Sequence, residues 1–244
     1  LAGHNKWSKI KHRKAVVDKR RGKVWTKVAK AIIVAAKHSG PDPAFNLTLR
    51  YALDEARYAN MPRDVIERAI KKGAGGEDTS NYENVRYEGY APGGIAVIVE
   101  SLTDNRTRTA ADVRCAFVKN DGNMGTSGCV GFMFQHLGQI AIEPSGVNED
   151  TLMNVAVEAG ASDVEAPADA DSAWVVTTDP TAFIKVKDAI EKAGFTIAAA
   201  ELAMVPESRV AVAGKAAQSL QSLVDELEDL DDVQKVYTNA DIAD

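Results

Sequence analysis

Apolar residues recur at helical spacing between Lys23 and Lys37. Trp25, Val28, Ala29, Ile32, Ala35 and Ala36 share one side, and Lys23, Lys27, Lys30 and Lys37 share the other. At about 100° per residue the four lysines fall within roughly 80° of one another, which predicts one packed face and one basic stripe. Ser39-Gly40-Pro41 closes this helix, and Asp42 with Pro43 reads as the cap and first position of a second. The second helix runs to about Ala59 and is expected to bury Phe45, Leu49, Ala52, Leu53 and Ala56. Pro62 opens a third, which carries Val65, Ile66, Ala69 and Ile70, pairs Glu67 with Lys71, and stops at Gly73.

Beyond the glycine-rich stretch at 73–76 the period shortens to that of strands. Val85–Tyr90, Ile95–Leu102 and Cys129–Phe134 read as strands, with a helix at Arg106–Lys119 between the last two. A βαββαβ series follows: Ile140–Glu143, helix Glu149–Ala159, Asp163–Ala166, Trp174–Thr177, helix Pro180–Ala193, Thr196–Val205. Arg209–Ala213, an acidic helix at Lys215–Asp231 and a strand at Val233–Thr238 close the chain. The expected fold is α+β: an N-terminal three-helix domain followed by two ferredoxin-like α/β domains, the third inserted into the second. The boundaries are 1–77, then 78–136 plus 207–244, with 137–206 inserted, and Phe134–Gly138 and Pro206–Ser208 as the crossings.

Charge changes this picture most. The net charge is −6, but residues 1–72 hold 18 Lys and Arg against 6 Asp and Glu, +12, and the remainder holds 11 against 29, −18. Such segregation points to a polyanionic partner met at one end of the molecule. The segment Gly3, His4, Asn5, Lys6, Trp7, Ser8, Lys9, Ile10, Lys11, His12, Arg13, Lys14, continued by Lys19, Arg20, Arg21, Lys23, Lys27 and Lys30, is the candidate nucleic-acid-binding set. Its cations neutralise phosphates and release counterions. Trp7 can stack on an unpaired base, His12 and Asn5 can hydrogen-bond, and Gly3 lets the backbone approach closely. Arg63, Arg68, Lys71 and Lys72 could extend the patch. Asn105, Arg106 and Arg108, where Asp104 or Asn105 caps the next helix, form a possible anion site; the competing reading is a well-capped helix with its arginines paired to acids.

Other chemistry finds little support. Four histidines lack metal-ligand spacing, and Cys115 and Cys129 form no CxxC, so no metal, cofactor or small-molecule substrate is expected, and no enzymatic activity. Neither Pro92-Gly93-Gly94 nor Gly122–Gly128 has a phosphate-loop pattern; both read as tight turns. In the last helix Leu220, Leu223, Leu227 and Leu230 form the packed side, and Asp225, Glu226, Glu228, Asp229, Asp231 and Asp232 are expected to face outward. No apolar run approaches the ~18–20 residues of a membrane span, so no membrane partner is expected. Two cysteines fit a reducing compartment, and the expected location is the cytoplasm, or the mitochondrial matrix if a targeting segment preceded Leu1.

AGHNKWSKIKHRK at 2–14, NMPRDVIERAIKKG at 60–73, YEGYAPGGIAVIVESLTDNRTRTAADVR at 87–114 and NMGTSGCVGFMF at 123–134 resemble the YebC/PmpR family. The resemblance runs through nearly the whole chain. It implies three domains, one helical and two α/β, with the third inserted into the second. It also implies a gene-expression factor: bacterial members are described as probable DNA-binding transcriptional regulators, and others act in translation, including relief of ribosomes stalled on proline-rich stretches. Nucleic-acid contact carries over to Gly3–Lys14, and Asn105, Arg106 and Arg108 match the central motif without a transferable role. Ala91 stands where a glycine is common before Pro-Gly-Gly. The expected partners are rRNA or mRNA on the ribosome, with ribosomal proteins as further contacts, or duplex DNA in the alternative. No base-reading set on an exposed recognition helix is evident in the sequence, which favours the ribosome.

Overall fold

The computed structural model describes residues 21–75, 81–167, 169 and 172–242. Three helices come first: α1 (Arg21–Ser39), α2 (Leu47–Tyr58) and α3 (Arg63–Ala74). The hairpin β1 (Glu83–Ala91) and β2 (Ile95–Thr103) leads to α4 (Arg106–Lys119) and the two-residue β3 (Asn123–Met124). Then come β4 (Phe134–Ile142), α5 (Glu149–Ala159), β5 (Ala161–Glu165), β6 (Trp174–Thr178), α6 (Phe183–Lys192) and β7 (Ile197–Pro206). The chain continues through β8 (Val210–Val212), α7 (Gly214–Asp229), β9 (Val233–Thr238) and β10 (Ala240–Ile242). The protein is α+β, with a helical N-terminal part ahead of two four-stranded sheets and a parallel β8–β10 pair.

One compact unit comprises residues 22–52, 62–135 and 204–242. Its sheet has the order β3-β1-β2-β9, with every pairing antiparallel. The hairpin turns at Pro92-Gly93-Gly94, where both glycines take positive φ, 82° and 74°, a conformation open to residues without Cβ. Alternate residues Ile95, Val97 and Val99 of β2, all fully buried, meet Val113, Ala116 and Phe117 of α4 and Leu220, Leu223 and Leu227 of α7 in one core. The β1–β2 hairpin sits at the centre of this sheet, with β3 and β9 at its edges. The expected strand at Cys129–Phe134 is absent: residues 131–133 form a 3₁₀ turn, and only Phe134 enters β4.

The other unit comprises residues 53–61 and 136–203 among those described. Its sheet order, β5-β6-β4-β7, built on a βαββαβ chain, is ferredoxin-like. Asn148 caps α5 by accepting from Thr151 N at 2.9 Å, and Gly160 ends that helix at φ 107°. The Lys187 ammonium on α6, 2% exposed, meets the Asp54 carboxylate of α2 at 2.8 Å. Both ends of that pair are buried, and each has further partners, Arg57 at 3.3 Å from Asp54 and Asp188 and Glu191 at 3.8 Å from Lys187.

The helical region differs from expectation in three places, each with a local cause. α2 starts at Leu47, four residues after Pro43, because Asn46 rather than Asp42 caps it. The Asn46 amide, 2% exposed, accepts from Leu49 N at 3.0 Å and donates to the carbonyls of Ala35 (2.8 Å) and Gly40 (2.7 Å). Phe45 therefore lies before the helix, 88% exposed rather than buried. On α3 the ion pairs are Arg63–Glu67 and Asp64–Arg68, not Glu67–Lys71. Finally, Gly73 lies inside α3 against α1, where a Cβ would run into the Ile33 carbonyl oxygen and come within 2.9 Å of Ala36 Cβ. Gly75 closes the helix, donating to Lys71 O at 2.8 Å.

The Gly73 contact fixes the sign of a mutation. Helix propensity alone would make Gly73→Ala stabilising by about 1 kcal/mol. The close backbone approach predicts the reverse, a loss of about 1–3 kcal/mol in urea unfolding, and a neutral or stabilised variant would show that α1 and α3 do not pack this way.

Candidate nucleic-acid interface

The candidate residues Gly3, His4, Asn5, Lys6, Trp7, Lys9, Lys11, His12, Arg13, Lys14, Lys19 and Arg20 lie outside the described residues. Arg21 opens α1. The structure therefore speaks to Lys23, Lys27 and Lys30, and it corrects the expectation of an open stripe. All three reach the C-terminal end of α7 and the loop after it. Lys23 Nζ pairs with Asp229 Oδ1 at 3.1 Å and donates to the Asp229 carbonyl at 3.3 Å. Lys27 Nζ donates to Glu228 O at 2.6 Å. Lys30 Nζ donates to Asp231 O at 3.1 Å and Asp232 Oδ1 at 2.9 Å, and lies 5.5 Å from the centroid of the Tyr82 ring.

The reason is electrostatic. The last carbonyls of a helix lack internal partners and carry partial negative charge. α7 has no basic residue of its own in its last turn, and α1 supplies three lysines from a neighbouring helix. Burial brings the Lys27 ammonium down to about 8, against the upward pull of the Glu228 carboxylate and with the Lys23 charge adding to the fall. A desolvated lysine already donating to a carbonyl is poorly placed to meet a phosphate.

The expected anion site at Asn105, Arg106 and Arg108 is filled by the chain itself. Asn105 caps α4, its Oδ1 accepting from Arg108 N at 3.1 Å. Asp232, expected to face outward, instead turns in with its side chain 12% exposed. Its carboxylate accepts from Arg108 Nη2 (2.6 Å), Lys30 Nζ (2.9 Å), Thr109 Oγ1 (2.9 Å) and Thr103 Oγ1 (3.2 Å). Burial on its own would raise the Asp232 carboxyl, but the hydrogen bonds from Arg108, Lys30 and Thr109 outweigh it and hold the group at about 2. Arg108 also pairs with Asp104 at 2.9 Å, and these hydrogen bonds raise its guanidinium further. Arg106 is exposed, and its carbonyl accepts from Tyr87 Oη at 3.2 Å. At the start of α4 the Arg108 guanidinium and the Thr109 hydroxyl thus meet an anion of the chain's own, Asp232.

A second carboxylate with an organising role escaped the sequence. Glu88, 4% exposed, accepts from Val130 N at 2.8 Å and Gly131 N at 2.7 Å. Burial opposes its ionisation, but the backbone N–H groups of Val130, Gly128 and Gly131 prevail and keep its carboxyl below the ordinary range. It shapes the loop that carries Cys129 and the 74% exposed Phe132. Both cysteines are free thiols. Among the described residues, no three His, Cys, Asp or Glu side chains gather as a metal set, and no helix is long and apolar enough to cross a membrane.

A helical N-terminal part, one hairpin-centred sheet and one ferredoxin-like sheet, with cations gathered towards the first helix, define a distinct class of α+β protein. The TACO1/YebC protein N-terminal domain matches residues 5–76, and the TACO1/YebC second and third domain matches residues 82–240. The chain belongs to the TACO1/YebC family. It is 54% identical over 245 residues to a probable transcriptional regulatory protein of Thiobacillus denitrificans, covering 100% of both chains. It is 52% identical over 243 residues to a protein of the same description from Geotalea uraniireducens, covering 100% of this chain and 97% of the relative. The crystal structure of a conserved hypothetical protein from Aquifex aeolicus matches with a TM-score of 0.86 at 44% identity, covering 98% of each chain.

The Asp232 network has a measurable signature. Asp232→Ala removes the carboxylate that Lys30 and Arg108 share, leaving Arg108 with Asp104 and Lys30 with backbone carbonyls, and is expected to cost about 1–3 kcal/mol at neutral pH. The Asp232 carboxyl is lowered on folding, from 3.8 to about 2, so its stabilisation is present above pH ~4 and lost as pH falls through that interval. The difference between wild type and variant in urea unfolding should therefore shrink from pH ~5 to pH ~2. An equal difference at both ends would contradict the network.

Proposed function

We propose that this protein is a non-enzymatic, nucleic-acid-binding regulator of gene expression, and that its target is RNA on the ribosome. The observation that carries the proposal is the crowding of cations at the start of the chain. Residues 1–21 hold eight Lys and Arg (Lys6, Lys9, Lys11, Arg13, Lys14, Lys19, Arg20, Arg21) against the single acid Asp18. The lysines that follow on α1 serve α7 and Asp232 instead. The polyanion then meets the chain at Gly3–Arg21, with Trp7 available to stack on an unpaired base and His12 and Asn5 to hydrogen-bond. The acidic remainder, −18 beyond residue 72, repels phosphate and confines contact to this end.

Duplex-DNA regulation is the second reading, and the name borne by the curated relatives favours it. RNA is preferred because the lysine face of α1, which would have to lie in a groove, is turned to α7, and the α3 arginines Arg63 and Arg68 pair with Glu67 and Asp64. We further propose that the N-terminal region 1–77 acts as the binding part. Residues 78–136 with 207–244, and the inserted 137–206, then form two further domains open to ribosomal-protein contacts.

Reversing Lys9, Lys11, Arg13 and Lys14 to Glu removes four candidate phosphate contacts. It should weaken binding to ribosomes or ribosomal RNA by about 10²–10⁴-fold at low salt, with thermal stability unchanged. Filter binding and sucrose-gradient sedimentation read this directly. Wild-type protein that stays at the top of the gradient at every salt concentration would refute the ribosomal target, and protection of one defined duplex sequence would support the DNA reading. Equal affinity of the reversed variant would show that the segment is not the contact.

A further inference from the structure

Phe45 is a bulky aromatic side chain, 88% exposed, with its neighbour Leu47 at 54%. Nothing about the loop is slack. Phe45 N donates to Asp42 O at 3.1 Å, and Ala44 N donates to Asp42 Oδ1 at 2.9 Å. On the far side, the buried Asn46 amide is held by its two carbonyl contacts to Ala35 and Gly40 and caps α2 through Leu49 N. The ring is thus presented to solvent by a backbone fixed on both sides, which lowers the entropic cost of using it in a contact. Its flanks are basic: Lys37 and His38 lie in the last turn of α1, and Arg50 lies in the first turn of α2, its N–H bonded to Asn46 O at 3.0 Å. Asp42 is the only acid between Lys37 and Arg50.

We propose that Phe45 is a stacking platform for an unpaired nucleobase, with Lys37, His38 and Arg50 drawing in the adjoining backbone phosphates. This rests on the nucleic-acid reading above and names a second contact, separate from Gly3–Arg21. An exposed aromatic face stacks on any base, and a basic rim favours a polyanion over a neutral or acidic protein surface. The site selects single strands, because a paired base keeps both faces covered by its neighbours.

Full-length protein is titrated with a fluorescein-labelled 12-nucleotide oligo(A) RNA, and separately with an RNA duplex of the same length, at low salt. Phe45→Ala should weaken oligo(A) binding by about 5- to 50-fold and leave duplex binding within twofold. Phe45→Trp should retain oligo(A) affinity, and the new indole should be quenched on binding. Phe45→Leu, which keeps apolar area without a π face, should behave like the alanine variant. Melting temperatures should match wild type, since the ring buries almost nothing. Unchanged oligo(A) affinity in Phe45→Ala overturns the platform while leaving the N-terminal contact standing, and would turn attention to a protein partner for the Phe45–Leu47 pair. An equal loss for single strand and duplex also overturns it. If wild type binds neither RNA, both this inference and the function proposed above fail.

Discussion

One carboxylate fixes how the larger unit is assembled. Asp232 lies between α7 and β9, yet its donors come from α1 (Lys30), β2 (Thr103) and α4 (Arg108 and Thr109). Its own carbonyl accepts from Leu102 N at 2.8 Å. A carboxylate at this depth is costly unless every lone pair is answered, and here the answers come from three separate elements. Moving any one of them removes a hydrogen bond from a largely buried carboxylate. α1, the first turn of α4 and the end of β2 are therefore tied to a single group.

The same constraint separates two uses of lysine that look alike on a helical wheel. Lys23, Lys27 and Lys30 share a face at the spacing a phosphate-binding helix would have, and helix α7 uses that face to cap its carbonyls. An internal acceptor at 2.6 Å, with no diffusional cost, outcompetes a mobile phosphate for Lys27. The proposed nucleic-acid contacts therefore lie elsewhere, in the cation-rich sequence ahead of α1 and at the exposed Phe45.

Much of the fold was legible because it rests on local patterns. The α5 boundaries and the β9 boundaries match their periodicities residue for residue, and the βαββαβ order of 134–206 is visible as alternating periods of 3.6 and 2. The errors arose where a distant partner decides. Phe45 had the spacing of a core residue, but Asn46 took over the cap and left it outside. Gly73 had the look of a stop, but its role is to let α3 approach the α1 backbone. Asp232 sat in a run of acids, and only the fold reveals that it points at Arg108 across 124 positions of sequence. The candidate interface was legible as charge, since segregation of cations is a property of the chain itself. The internal pairing of Lys27 and Lys30 was not, because their acceptors lie about 200 positions away.

The most direct test is the salt dependence of binding to ribosomal RNA. The slope of log K against log salt counts the phosphates neutralised, at about 0.7–0.9 per contact. Glutamine is placed at Lys6, Lys9, Lys11, Arg13 and Lys14 in one variant, and at Lys23, Lys27 and Lys30 in another. The account predicts that the first set flattens the slope by about 3.5–4.5 and the second changes it by less than ~1 while lowering the melting temperature. A slope that persists without the first set and collapses without the second would contradict it.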